Sequence, residues 1–76
     1  MKFHEGQKVW VWRGDSEKPY PATISGYLGK SSTGNDVYEF VTYWYGCQIV
    51  SGCADFDIYE TEILAKHAYE KYTDTK

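Results

Sequence analysis

Apolar positions alternate in short runs over most of the chain and then change to helical spacing near its end. Val9 and Val11 fall on one side of a pleated backbone and Trp10 and Trp12 on the other, the period of two expected of a strand with something to bury on both faces. That strand runs from Gly6 to Arg13 and is broken by Gly14, Asp15 and Ser16. Pro19 and Pro21 then bracket Tyr20. Proline holds the backbone extended and removes a ladder donor, which suits an edge strand or the first residues of a strand. The two segments are therefore read as strands joined by an arch that fixes Tyr20 in space. The second strand continues over 20–28 with Ala22 and Ile24 on one face and Gly26 at a bend or bulge. Residues 29–36, Gly-Lys-Ser-Ser-Thr-Gly-Asn-Asp, form a polar loop.

Residues 37–45 carry the strongest strand signal, all but Glu39 being β-branched or aromatic. Tyr38, Phe40, Thr42 and Trp44 share one face, and Val37, Glu39, Val41, Tyr43 and Tyr45 the other. Both faces carry aromatics, so one set has to end near the surface. Gly46 ends the strand or opens a turn, and two short strands at 47–50 and 56–59 follow, with Ser51-Gly52 and Ala54-Asp55 as turns. From Thr61 onward Ile63, Leu64, Ala68, Tyr69 and Tyr72 recur at helical spacing, Glu62 and Lys66 form a favourable i,i+4 pair, and Thr61 supplies a cap. The pattern predicts a mainly β chain, one domain over 1–76, with its strands within about 6–60 and a C-terminal helix over about 61–73.

A chain of 76 residues buries only roughly 60% of its unfolded surface. Eight Tyr, three Trp and three Phe therefore have to supply much of the core, each removing roughly 150–250 Å² from water. The formal net charge is -3, which argues against affinity founded chiefly on phosphate neutralisation. The charges are unevenly spread. Lys2, Lys8, Arg13, Lys18 and Lys30 outnumber Glu5, Asp15 and Glu17 in residues 1–34, whereas the remainder holds three lysines against eight acids. Cys47 and Cys53 have neither metal-knuckle nor redox spacing. Adding His4 and His67 gives no zinc signature, so no metal or cofactor is expected and two buried or half-buried thiols are. Neither a secretory leader nor a membrane-spanning run is visible, and an intracellular setting is expected. Gly29-Lys30-Ser31 lacks the spacing of a phosphate loop, and Asp55 and Asp57 read as solvated strand carboxylates. A non-catalytic protein is expected.

Gly6-Gln7-Lys8-Val9-Trp10, then Lys18-Pro19-Tyr20-Pro21 with Ala22 and Ile24 in place, then Val41 to Gly46, together resemble a PWWP domain, one of the Tudor-like group of SH3-like barrels. Tyr20 and Pro21 fit the third and fourth motif positions; Lys18 and Pro19 depart from the first two. The resemblance implies a small five-stranded SH3-like barrel with a C-terminal α-helix. It further implies a non-catalytic nuclear chromatin reader, part of a larger protein or complex, that binds methylated lysine of a histone tail in an aromatic cage. A methylated ammonium forms few hydrogen bonds, and aromatic faces hold it by about 0.5–2 kcal/mol each. Carried over by position, one cage residue is Tyr20 and another is Tyr43 or Trp44, according to whether Val41 or Gly46 anchors the alignment. The third family position is Glu17, a departure, with Trp12 on the outer face of the first strand available to replace it. The family's weak DNA-backbone contacts fall to Lys8, Arg13, Lys18 and Lys30. Two other readings stand beside this one. The first is an SH3-like interaction module for an unmodified peptide or partner subunit; the second is the DNA-binding barrel of an integrase or transposase, expected to be more basic. By sign, Asp55, Asp57, Glu60 and Glu62 suit a basic tail.

Overall fold

A computed structural model describes residues 3–14 and 18–74. Its elements are β1 (Lys8–Val11), β2 (Tyr20–Lys30), β3 (Asp36–Trp44), β4 (Cys47–Ala54), a 3-10 turn (Asp55–Asp57), β5 (Ile58–Tyr59) and α1 (Glu62–Asp74). The strands form one antiparallel sheet in the order β4-β3-β2-β1-β5. The sheet is not closed, and β4 and β5 are its two edges.

The alternation in β1 separates two faces, and packing buries that of the valines. Val9 and Val11 are buried opposite Ala22 and Tyr20, while Lys8 and Trp10 pair with Thr23 and Pro21 on the outer face. Pro21 sits at the start of β2, and pairing of β2 with β3 begins only at Thr23, so its missing donor lies outside that ladder. Register shifts between Ile24 and Gly26 and between Tyr27 and Gly29 put the bend where Gly26 suggested it. Ala22, Ile24, Tyr38, Phe40, Cys53 and Ile58 complete the core.

One core member was not expected. Phe3, which precedes the first expected strand, is buried with its ring edge-on to that of Tyr38, centroids 5.3 Å apart, and its backbone N–H donates to the Tyr38 hydroxyl at 3.3 Å. Burying a Phe contributes roughly 1.5–3 kcal/mol, a large share for so small a core.

The expected pair of short strands after Gly46 is corrected. β4 is one strand of eight residues, paired with β3 without a bulge from Trp44↔Cys47 to Val37↔Ala54. Ser51 and Gly52 continue it because β3 offers them partners in Phe40 and Glu39. Glycine at 52 also leaves room for Leu28, whose Cδ1 would lie 2.9 Å from an added Cβ. β5 shrinks to two residues because 55–57 wind into the 3-10 turn. Tyr45 leaves the strand for the β3–β4 loop, where it and Gly46 take φ of 51° and 79°. Both values are left-handed, as a two-residue turn matching the twist of the strands requires.

The α1 cap is as expected: the Leu64 N–H donates to Thr61 Oγ1 at 3.2 Å. The helix face is rotated from the expected one. Ala65 is fully buried and Ala68 and Tyr69 half-buried, whereas Ile63 and Leu64 are exposed. Trp12 explains the choice. Its ring takes Tyr69 and Tyr72 edge-on, at 5.9 and 5.4 Å, an arrangement favoured by the aromatic quadrupole. The small Ala65 lets the helix approach closely.

Candidate functional site

The inner face of β3 runs past the core and into solvent. Tyr38, Phe40 and Thr42 are buried, and Trp44, next on the same face, is 56% exposed. Across the ladder Phe40 faces Ser51 and Thr42 faces Ile49. Tyr20 enters from the arch, its ring 6.2 Å from that of Phe40 and inclined at 47°. Together with Arg13 these side chains line an open hollow of about 230 Å³. The arch is fastened to β3 beside it, for the Thr42 hydroxyl donates to the Pro21 carbonyl at 2.7 Å. That bond holds Tyr20 at a fixed height above Phe40, because Tyr20 and Pro21 are adjacent.

The structure brings Tyr20 and Trp44 together and separates Tyr43 from them. Period-two geometry turns Tyr43 to the outer face, where it is 67% exposed and lines a shallow groove with Lys8, Trp10 and Val41. Of the two expected positions on the third strand, Trp44 is the one in the hollow. The structure places Trp12 apart from the hollow: α1 covers it, leaving 7% exposed, and its backbone N–H donates to the Asp57 carbonyl at 3.0 Å. Its ring is committed to the helix and walls no cage. Glu17 lies outside the described residues. Phe40, Ile49 and Ser51 were not singled out as site residues. The parity shared by Phe40 and Trp44 was a usable signal for the first, but the other two depend on the β3–β4 register.

The basic residues do not form one patch. Arg13 lines the hollow, Lys18 a crevice with Pro19 and α1, and Lys8 the outer groove. Lys30 ends the 11-residue β2, about 30 Å along the strand from Tyr20. There it pairs with Asp36 at 3.1 Å, and the Tyr27 hydroxyl donates to the same carboxylate at 2.9 Å. These two hydrogen bonds hold the Asp36 carboxyl below its ordinary value, and the bond to Asp36 raises Lys30 above its own. Among the described residues lining the hollow, Arg13 carries the one charge and no carboxylate is present. Asp55 and Glu60 line a separate groove with Phe56 and Leu64.

Of the two thiols, Cys53 is as expected and Cys47 is not. Cys47 is exposed and Cys53 buried, and burial, with a smaller contribution from Asp57, pushes the Cys53 thiol up to about 11. Six positions along β4 put their backbones roughly 20 Å apart. Among the described residues no three His, Cys, Asp or Glu side chains group as metal ligands would, and no helix is long and apolar enough to cross a membrane.

No protein-family model, curated protein or solved structure matches the chain. The functional reading therefore rests on these residues and their arrangement.

Proposed function

We propose that the chain is an SH3-like barrel of the Tudor and PWWP kind that binds, without catalysis, the methylated lysine of a peptide such as a histone tail. The observation that carries the reading is the convergence of Tyr20, Phe40 and Trp44 on one hollow. The strand order is consistent with the barrel: β1 to β4 form a meander, and a 3-10 turn returns β5 to β1. The accessible faces of Tyr20 and Trp44 contribute on the order of 0.5–2 kcal/mol each to holding a desolvated methylammonium, above a floor formed by the buried Phe40. The fastening of Pro21 to Thr42 fixes the walls before the ligand arrives, which reduces the ordering cost of binding. The nuclear setting, membership in a larger assembly and weak DNA contacts follow from the same reading, with Arg13 and Lys18 nearest the arch.

Arg13 favours a second reading. A cation on the rim opposes a cation in the hollow by about 1 kcal/mol where water screens the pair, and among the described lining residues no carboxylate offsets it. An unmodified peptide or partner protein, entering with an apolar or acidic side chain, meets no such opposition. Amide NMR titration with mono-, di-, trimethylated and unmodified histone-tail lysine peptides separates the two, with short duplex DNA as a further ligand. Methylation-dependent shifts centred on Tyr20, Phe40 and Trp44 support the reader. Shifts there indifferent to methylation select the second reading, and silence of those signals removes both from the hollow.

A further inference from the structure

We propose that β4 is a self-pairing edge: two copies of this chain join antiparallel strands about a two-fold axis at Val50 and continue the sheet from one molecule into the other. The inference stands on β4 itself and is independent of what the hollow binds.

An edge strand offers a row of unpaired N–H and C=O groups, and soluble proteins blunt such edges with lysine, proline, bulges or a covering element. The other edge of this sheet is the two-residue β5, beside α1. Among the described residues β4 has none of these protections. It is eight residues long, contains no proline and no charged residue, and keeps an unbroken register with β3. The two-residue loop closes on Trp44 and Cys47, so alternation leaves the backbone groups of Gln48, Val50 and Gly52 directed away from β3. Among the described residues no hydrogen bond outside the sheet reaches them.

Two features select a second copy as the occupant. A two-fold axis at Val50 sets Val50 against itself and Ile49 against Ser51, and with no charged residue in 47–54 no like charges meet across the joined strands. The exposed apolar side chains are also distributed for antiparallel self-pairing. Tyr45, 91% exposed, stands at one end of β4, Phe56, 61% exposed, just past the other, and Val50, 53% exposed, near the middle. Turning a second copy about Val50 brings the hairpin tip of each to the 3-10 turn of the other and sets the two Val50 side chains side by side. Side-chain parity is kept, Ile49 facing Ser51 of the second copy, so both hollows open on the same side of the joined sheet.

The test is sedimentation equilibrium of the 76-residue chain from micromolar to millimolar concentration, with Val50→Lys, Val50→Glu and their mixture. The wild type is expected to reach twice the 8.8 kDa chain mass. Each variant alone sets like charges opposite one another and weakens association by about tenfold or more, whereas the mixture recovers it. Near-ultraviolet circular dichroism confirms that both variants are folded. Hydrogen exchange at the Gln48, Val50 and Gly52 amides slows in the wild-type dimer and not in Val50→Lys. A wild type that remains at 8.8 kDa throughout, or a dimer unaffected by either charge, overturns the proposal. So does protection of those amides that appears only when a peptide is added, which would assign the edge to a peptide strand.

Discussion

Tyr43 and Trp44 are consecutive in the chain and point to opposite sides of the sheet, so the two choices for the cage wall make opposite predictions. Trp44→Ala and Tyr20→Ala are expected to reduce peptide affinity by about tenfold or more, the loss of 1.4 kcal/mol or more of aromatic contact. Tyr43→Ala is expected to leave it within about twofold. Calorimetric titration of the three variants decides this, and a loss confined to Tyr43→Ala would move the site to the outer groove. The thiols give a second contrast at the same scale. Cys47, exposed, is expected to react with an aromatic disulfide reagent at pH 8 promptly, and Cys53 only as fast as the chain unfolds. The sign of the pH effect follows from burial. Above the ordinary thiol value of 9.0 the unfolded chain releases the Cys53 proton, while the folded chain keeps it to about 11. Unfolding is thereby favoured increasingly across that interval. Urea midpoints of the wild type should therefore fall more steeply between pH 9 and 11 than those of Cys53→Ala.

The β3–β4 hairpin shows how a local rule is broken within an element. Its loop requires left-handed φ at both residues, and Gly46 satisfies this freely while Tyr45 does so at a steric cost. Asparagine is preferred at that position. Tyr45→Asn is expected to stabilise the domain by roughly 0.5–1 kcal/mol, whereas the β-branched Tyr45→Val should destabilise it by a similar amount, both read from urea unfolding. If Tyr45 serves the pairing of two copies, Tyr45→Asn weakens association while it strengthens the fold. In α1 the capping hydroxyl of Thr61 was legible from residue type and position, and Thr61→Ala is expected to cost about 1 kcal/mol. The helix face was not legible. Ile63, Leu64, Ala68, Tyr69 and Tyr72 fit a helical stripe in projection, but which side of it is buried depends on the surface it meets, and that surface is the ring of Trp12.

For the whole molecule, Trp12 and α1 act as one unit. A domain of this size has roughly 4–11 kcal/mol of stability, and removing a buried Trp costs about 3–5 kcal/mol. Trp12→Ala is expected to lower the urea midpoint by a third or more and to unfold the chain near physiological temperature. Loss of peptide binding in that variant would accompany loss of the near-ultraviolet signal, unlike the loss in Trp44→Ala. A Trp12→Ala domain that keeps its stability yet no longer binds would return Trp12 to the site.

The alternation of side chains determined by itself that the chain is mainly β, where strands β1 to β3 lie, that an arch carries Tyr20 between prolines and that a capped helix follows. These are consequences of neighbours a few residues apart, governed by backbone sterics and periodicity. Only the tertiary structure decided which face of each element is inside. It drew Phe3 into the core beside Tyr38, kept β4 continuous through Ser51 and Gly52 because β3 paired with them, covered Trp12 with α1, and chose Trp44 over Tyr43 for the hollow. Each of those outcomes depends on a partner distant in sequence, and a pattern of polar and apolar residues specifies that a face is buried without specifying what buries it.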